Sequence, residues 1–170
     1  PYHDGESEPF VGRVLKKYKR EDFYLATKLP IFKIDSLEQA KEIFEEQMKR
    51  LDVDYVDFYL LHALNKDTWK KVIDLNIIPY CEELKKQGRI KNFGFSFHDD
   101  YEVFEEIINY RDWDFCQIQL NYIDTDIQAG MKGYKLTEEK NVPLVIMEPI
   151  KGGALASLSD DIEKVLDRKS

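Results

Sequence analysis

The feature that most constrains this chain is a strict alternation of short apolar runs with helical patterns. Five runs rich in β-branched and aromatic residues stand out: Phe23–Lys28, Tyr55–His62, Lys91–Phe97, Phe115–Tyr122 and Pro143–Pro149. Each is too short for an independent helix and too apolar for a loop, so each reads as a strand. Helical spacing fills the intervals. Ser36 is an N-cap ahead of Leu37, Ala40, Ile43, Phe44, Met48 and Leu51. Residues 78–87 put Ile78, Cys81 and Leu84 on one face and stop at Gly88, a C′ glycine. Residues 100–110 align Val103, Phe104, Ile107 and Ile108, and residues 7–18 open on Ser7 and Pro9. Residues 128–140 are a weaker helix, diluted by Gly130 and Gly133, and a polar, weakly helical tail follows.

The strands recur at the spacing of one βα unit. Apolar strands alternating with helices imply a parallel sheet covered by helices, hence an α/β fold. Two architectures fit: an open doubly wound sheet, or an arc of a (β/α)8 TIM barrel. A GxGxxG fingerprint after the first strand would favour the doubly wound sheet, and none is present.

Composition bounds the partners. The 170 residues suffice for one domain, read here as 1–170, with a core of its own. Twenty-five basic and thirty-three acidic residues leave a net charge of −8, mixed along the chain, so no nucleic-acid footprint is expected. Apolar runs fall far short of the ~20 residues of a membrane span, and no secretory leader opens the chain. A cytoplasmic setting is therefore expected, with Cys81 and Cys116 as buried free thiols. The opening Pro1-Tyr2-His3-Asp4 and the closing Asp167-Arg168-Lys169-Ser170 both read as cuts in a longer chain.

In a TIM barrel, function collects at the C-terminal ends of the strands. Those ends carry Lys28, His62, Ser96, Gln117 with Asn121, and Glu148. A lysine and a histidine ending successive apolar strands could serve catalysis, or could be a solvated cap and a hydrogen-bonded end residue. His98 precedes Asp99 and Asp100, which are expected to cap the following helix.

Ala26-Thr27-Lys28, Asp57-Phe58-Tyr59-Leu60-Leu61-His62, Gly94-Phe95-Ser96 and Gln117-Ile118-Gln119-Leu120-Asn121-Tyr122 occur in an order and spacing that resemble the aldo-keto reductase family. Tyr2 before Gly5-Glu6-Ser7-Glu8 is similar to the family's tyrosine loop, and Glu148-Pro149-Ile150-Lys151-Gly152-Gly153 to its seventh strand and following loop. The resemblance covers nearly the whole chain. It implies an incomplete (β/α)8 barrel holding about five parallel strands, family strands 3–7.

The same resemblance implies an NADP(H)-dependent oxidoreductase that reduces small aldehydes or ketones by hydride transfer. Tyr2 would be the proton donor, Lys28 the ammonium beside it, and His62 the donor to the substrate carbonyl. Ser96 and Gln117 would hold the nicotinamide carboxamide, and Met147 would pack under the ring. Lys151, Gly152 and Gly153 would approach the pyrophosphate. Phe97 stands where many members have a cofactor-binding asparagine, and the aspartate that pairs with the lysine would precede Pro1. The resemblance is to a bacterial branch that often carries an iron–sulfur tail. A cluster could belong to the parent protein, but this chain has no ligands for one. The open edges of such an arc invite self-association, and the 170 residues alone are expected to show little activity. The other function considered is a non-catalytic nucleotide-binding or interaction protein on the same scaffold.

Overall fold

The computed structural model describes residues 3–156, together with Ile162 and Lys164. Tyr2, expected as the proton donor, lies outside the described residues. Within them the elements run α1 (Ser7–Leu15), β1 (Ala26–Leu29), α2 (Leu37–Leu51), β2 (Val56–Leu64), α3 (Lys66–Asp74), α4 (Ile77–Lys86), β3 (Ile90–Phe97), α5 (Tyr101–Asn109), β4 (Phe115–Gln119), α6 (Gly130–Lys140) and β5 (Leu144–Met147). The five strands form one sheet in the order β1-β2-β3-β4-β5, every pair parallel. A doubly wound sheet reverses its strand order at a switch point. This sheet does not, so it is an arc of a barrel.

Local chemistry accounts for where elements begin and end. Ser36 accepts a hydrogen bond from the Gln39 amide at 3.2 Å, as its position predicts. Gly88 closes α4 with φ +74. β1 starts later than the apolar run because Arg20–Asp22 form a 3-10 turn, with the Arg20 guanidinium donating to the Phe23 carbonyl at 3.0 Å. β4 stops at Gln119 because the Asn121 Oδ1 accepts from the amides of Ile123 and Asp124 and turns the chain. β2 runs past His62 across an irregularity at Ala63, where φ is 55.

Two expectations need correction. α3 was not foreseen; its start is a capping box in which Asn65 and Thr68 satisfy each other's backbone amides. Asp100 occupies the N-cap position of α5 but its side chain makes no cap bond. The Asp99 carboxylate instead accepts from the amides of Asp100 and Lys66, joining this loop to the start of α3.

The sheet has two unlike faces. Leu29, Tyr59, Leu61, Phe93, Phe95, Phe97, Cys116 and Ile118 all join the core under the helices. Aromatic edges fill it: Phe95 meets Trp113 at 4.8 Å and Phe97 meets Phe104 at 5.2 Å between ring centres. Each such buried ring stabilises the fold by roughly 1.5–3 kcal/mol relative to exposure. Gly94 is required where β3 meets β4, because a Cβ there would sit 2.4 Å from the Phe115 carbonyl oxygen. Burial pushes the Cys116 thiol up to about 12 and the Cys81 thiol also upward, so both are poor nucleophiles. Among the described residues no helix is long and apolar enough to cross a membrane.

Candidate active site

Side chains alternate along each strand, so the residues between the core positions share the opposite face. Lys28 on β1, His62 on β2, Ser96 on β3, Gln117 on β4 and Met147 on β5 all have this parity. Register reinforces it: Lys28 lies beside Leu60, Ser96 beside Gln117, Gln117 beside Val145 and Gln119 beside Met147. One residue per strand thus contributes to a slanting row on the inner face, towards the C-terminal ends: Lys28 is level with Gly94, Ser96 with Gln117 and Val145, and Met147 lies one pair further on beside Gln119.

The Lys28 ammonium donates to the Gln117 Oε1 at 2.8 Å across the mouth of the arc. Gln117 was expected to face only a carboxamide, so this contact was missed, and the sequence separation of the two residues hides it. His62 is held neutral, its pKa pushed down to about 4 by burial and then by the positive charge of Lys28. The Phe32 ring, in a 3-10 turn just after β1, packs against the His62 ring at 5.6 Å. His98 is lowered as well, mainly by burial.

Ser96 is fully buried, and its Oγ accepts from the Ala63 amide at 2.8 Å. One lone pair is therefore committed, while the hydroxyl proton can still be donated. Phe97, at the position of the family asparagine, is fully buried against Phe104 on the helix side. It points away from the row. Met147 ends β5, partly buried.

After β5 the backbone is left-handed at Glu148, Lys151, Gly152 and Gly153, with φ of 56, 50, 63 and 100. A Cβ built on Gly152 or Gly153 meets nothing within 4 Å, so this backbone faces open space. Lys151 is ion-paired with Asp124 at 2.8 Å, and Asn121 donates to the same carboxylate at 2.9 Å. These two bonds hold the Asp124 carboxyl below its usual range. Asn121 therefore braces the Asp124 carboxylate for this pair, a role its place at a strand end did not reveal. Among the described residues no group of three His, Cys, Asp or Glu is placed to hold a metal ion.

The model of the Aldo/keto reductase family matches residues 1–170. The chain belongs to that family. The NADH-specific methylglyoxal reductase of Escherichia coli is 24% identical over 91% of the chain and 51% of its own length. The uncharacterized oxidoreductase YqkF of Bacillus subtilis is 29% identical over 99% of the chain and 53% of its own length. Among solved structures, a thermostable aldo-keto reductase in complex with the inhibitor epalrestat superposes with a TM-score of 0.74 at 25% identity, over 98% of this chain and 58% of that one. The holo form of an aldo-keto reductase from Bacillus halodurans superposes with a TM-score of 0.70 at 31% identity, over 86% and 47%. This aldo-keto reductase chain spans about half the length of the curated relatives it matches.

Proposed function

We propose that this chain carries part of the active site of an oxidoreductase that reduces a small aldehyde or ketone with a nicotinamide dinucleotide. The observation that carries the reading is the inner row, in which a lysine and a neutral histidine adjoin a serine and a glutamine on successive strands. The bound dinucleotide supplies the hydride. A neutral imidazole can donate one N–H to the substrate carbonyl oxygen and so stabilise the negative charge that develops there. It has no competing acid equilibrium near neutral pH, because protonation waits until about 4.

Lys28 is the cation for the phenol of Tyr2, whose role comes from family resemblance. A free phenol titrates near 10, and each unit of lowering requires about 1.4 kcal/mol of preferential phenolate stabilisation. An ammonium ion at the mouth of the arc is suited to supply it.

The residues present fit the dinucleotide. The Gln117 side-chain N–H can donate to a carboxamide oxygen, the buried Ser96 hydroxyl is assigned beside it on family resemblance, and Met147 offers a polarizable surface for a ring. The open left-handed backbone at Gly152 and Gly153 can bring its N–H groups to a pyrophosphate, beside the Lys151 charge. NADPH is the favoured form on family resemblance, whereas one relative is named NADH-specific. Both belong in the test.

The full-length protein is assayed for reduction of methylglyoxal and of an aromatic aldehyde with each cofactor. Lys28→Met and His62→Gln are each expected to lower kcat by about 10²–10⁴-fold, the range of acid–base assistance. Saturable NADPH binding with no carbonyl reduction by the wild type would replace this reading with a non-catalytic nucleotide-binding role.

A further inference from the structure

On the helix side of β1, directly behind Lys28, lies a buried polar network that the chemistry above does not use. Gln47 occupies the inward stripe of α2 with Ala40, Phe44, Met48 and Leu51, where a hydrocarbon side chain would pack without needing partners. It is 1% exposed. Its Nε2 donates to the Lys28 carbonyl at 2.8 Å and to the Glu8 Oε1 at 3.0 Å. Its Oε1 accepts from the hydroxyl of Tyr59, itself fully buried on β2, at 3.0 Å. Glu8, 5% exposed on α1, also accepts from the Thr27 hydroxyl at 2.8 Å and from Arg50 at 3.3 Å. Four buried side chains, Glu8 of α1, Gln47 of α2, Thr27 of β1 and Tyr59 of β2, are therefore linked to one another, and through Gln47 to the backbone carbonyl of Lys28.

A buried amide is costly unless its hydrogen bonds are satisfied, and this one uses both ends. Such a satisfied network restricts geometry more than an apolar contact would. Its anchor points are specific. One is the backbone carbonyl of Lys28 itself. Another is α1, the helix that follows Tyr2 in the sequence.

We propose that Gln47 and Glu8 are positioning residues for the reaction, fixing the β1 backbone at Lys28 against the helix that follows Tyr2 in the sequence. They touch neither substrate nor cofactor; they act through Lys28. The proposal rests on the reductase reading above, in which Lys28 assists a phenol.

The test compares wild type with Gln47→Met, similar in size but unable to bridge, and Gln47→Glu, which keeps an acceptor for Tyr59 but loses the donor to Lys28. Tyr59→Phe, which leaves the bond to Lys28 intact, is the control. In the full-length protein, kcat and its pH profile are measured below the unfolding temperature, alongside the rate at which acetic anhydride labels Lys28, read by mass spectrometry. For Gln47→Met the expected result is a fall in kcat of about tenfold or more with KM for the cofactor within about twofold, the size of lost orientation rather than lost binding. The alkaline limb of the profile should move, Lys28 labelling should change severalfold while surface lysines such as Lys70 stay constant, and Tyr59→Phe should show little of this. A lowered Tm with unaltered kcat, pH profile and Lys28 labelling would overturn the proposal and leave the network as core packing. If the wild type reduces no carbonyl, the reductase reading fails, and Lys28 labelling alone then decides whether the network positions that side chain.

Discussion

At the scale of single residues, His62 shows how burial sets chemistry. In the unfolded chain an imidazole titrates near 6.5, and in the folded one near 4. The unfolded state therefore binds more protons between these values, and stability rises with pH across that window. It is fully present above about 6.5 and declines as the pH falls towards 4. Wild type is thus expected to lose more of its Tm between pH 7 and pH 5 than His62→Gln does, as thermal unfolding at the two pH values would show. Equal losses would mean that His62 is not held neutral by the fold. Lys28, His62, Ser96 and Gln117 were legible as inner-face candidates because strand-end position and family spacing both mark them, whereas family spacing alone marks Met147. Gln47 was not, because a polar residue at a helix position carries no sign of facing inward. Glu8 is visible in the sequence only as part of the motif after Tyr2, since its partners are remote in sequence.

At the scale of elements, α1 lies against α2 through Gly12, where a Cβ would stand 2.6 Å from the Arg50 carbonyl oxygen. Helix propensity alone favours Gly12→Ala by about 1 kcal/mol. The clash is with backbone that cannot swing aside, and overpacking of this kind costs about 1–3 kcal/mol. The clash should win. Gly12→Ala is expected to lower the urea midpoint with an unchanged m-value, and a raised midpoint would show that α1 can slide over α2 freely. Most elements were readable because their apolar periodicity is strong, as in α2 and α5. α3 was missed because its start depends on Asn65 and Thr68 capping each other, which is a pairing of polar groups and leaves no mark in the hydrophobic pattern. Strand ends were the least readable, since they are set by turns such as the one Asn121 makes.

At the scale of the whole molecule, the sequential strand order leaves β1 and β5 each with one neighbour among the described residues. Val145 on β5 is 47% exposed. Unpaired parallel edges carrying apolar side chains are sites of intermolecular pairing. Expressed as these 170 residues alone, the chain is expected to self-associate with rising concentration in sedimentation velocity, and Val145→Lys should shift it towards monomer. A monomer at the highest soluble concentration would show that the edges are blocked by other means.

The alternation on β3 has a consequence for how reliably the site is built. Phe93, Phe95 and Phe97 point to one side, and Gly94 and Ser96 to the other. A strand slipped by one residue would turn three phenyl rings into the mouth of the arc, drive Ser96 into the oily layer, and lose the glycine that lets β4 approach. The polar row and the aromatic layer are thus two readings of one registration. The rings that never meet a substrate act as the proofreading for the groups that would.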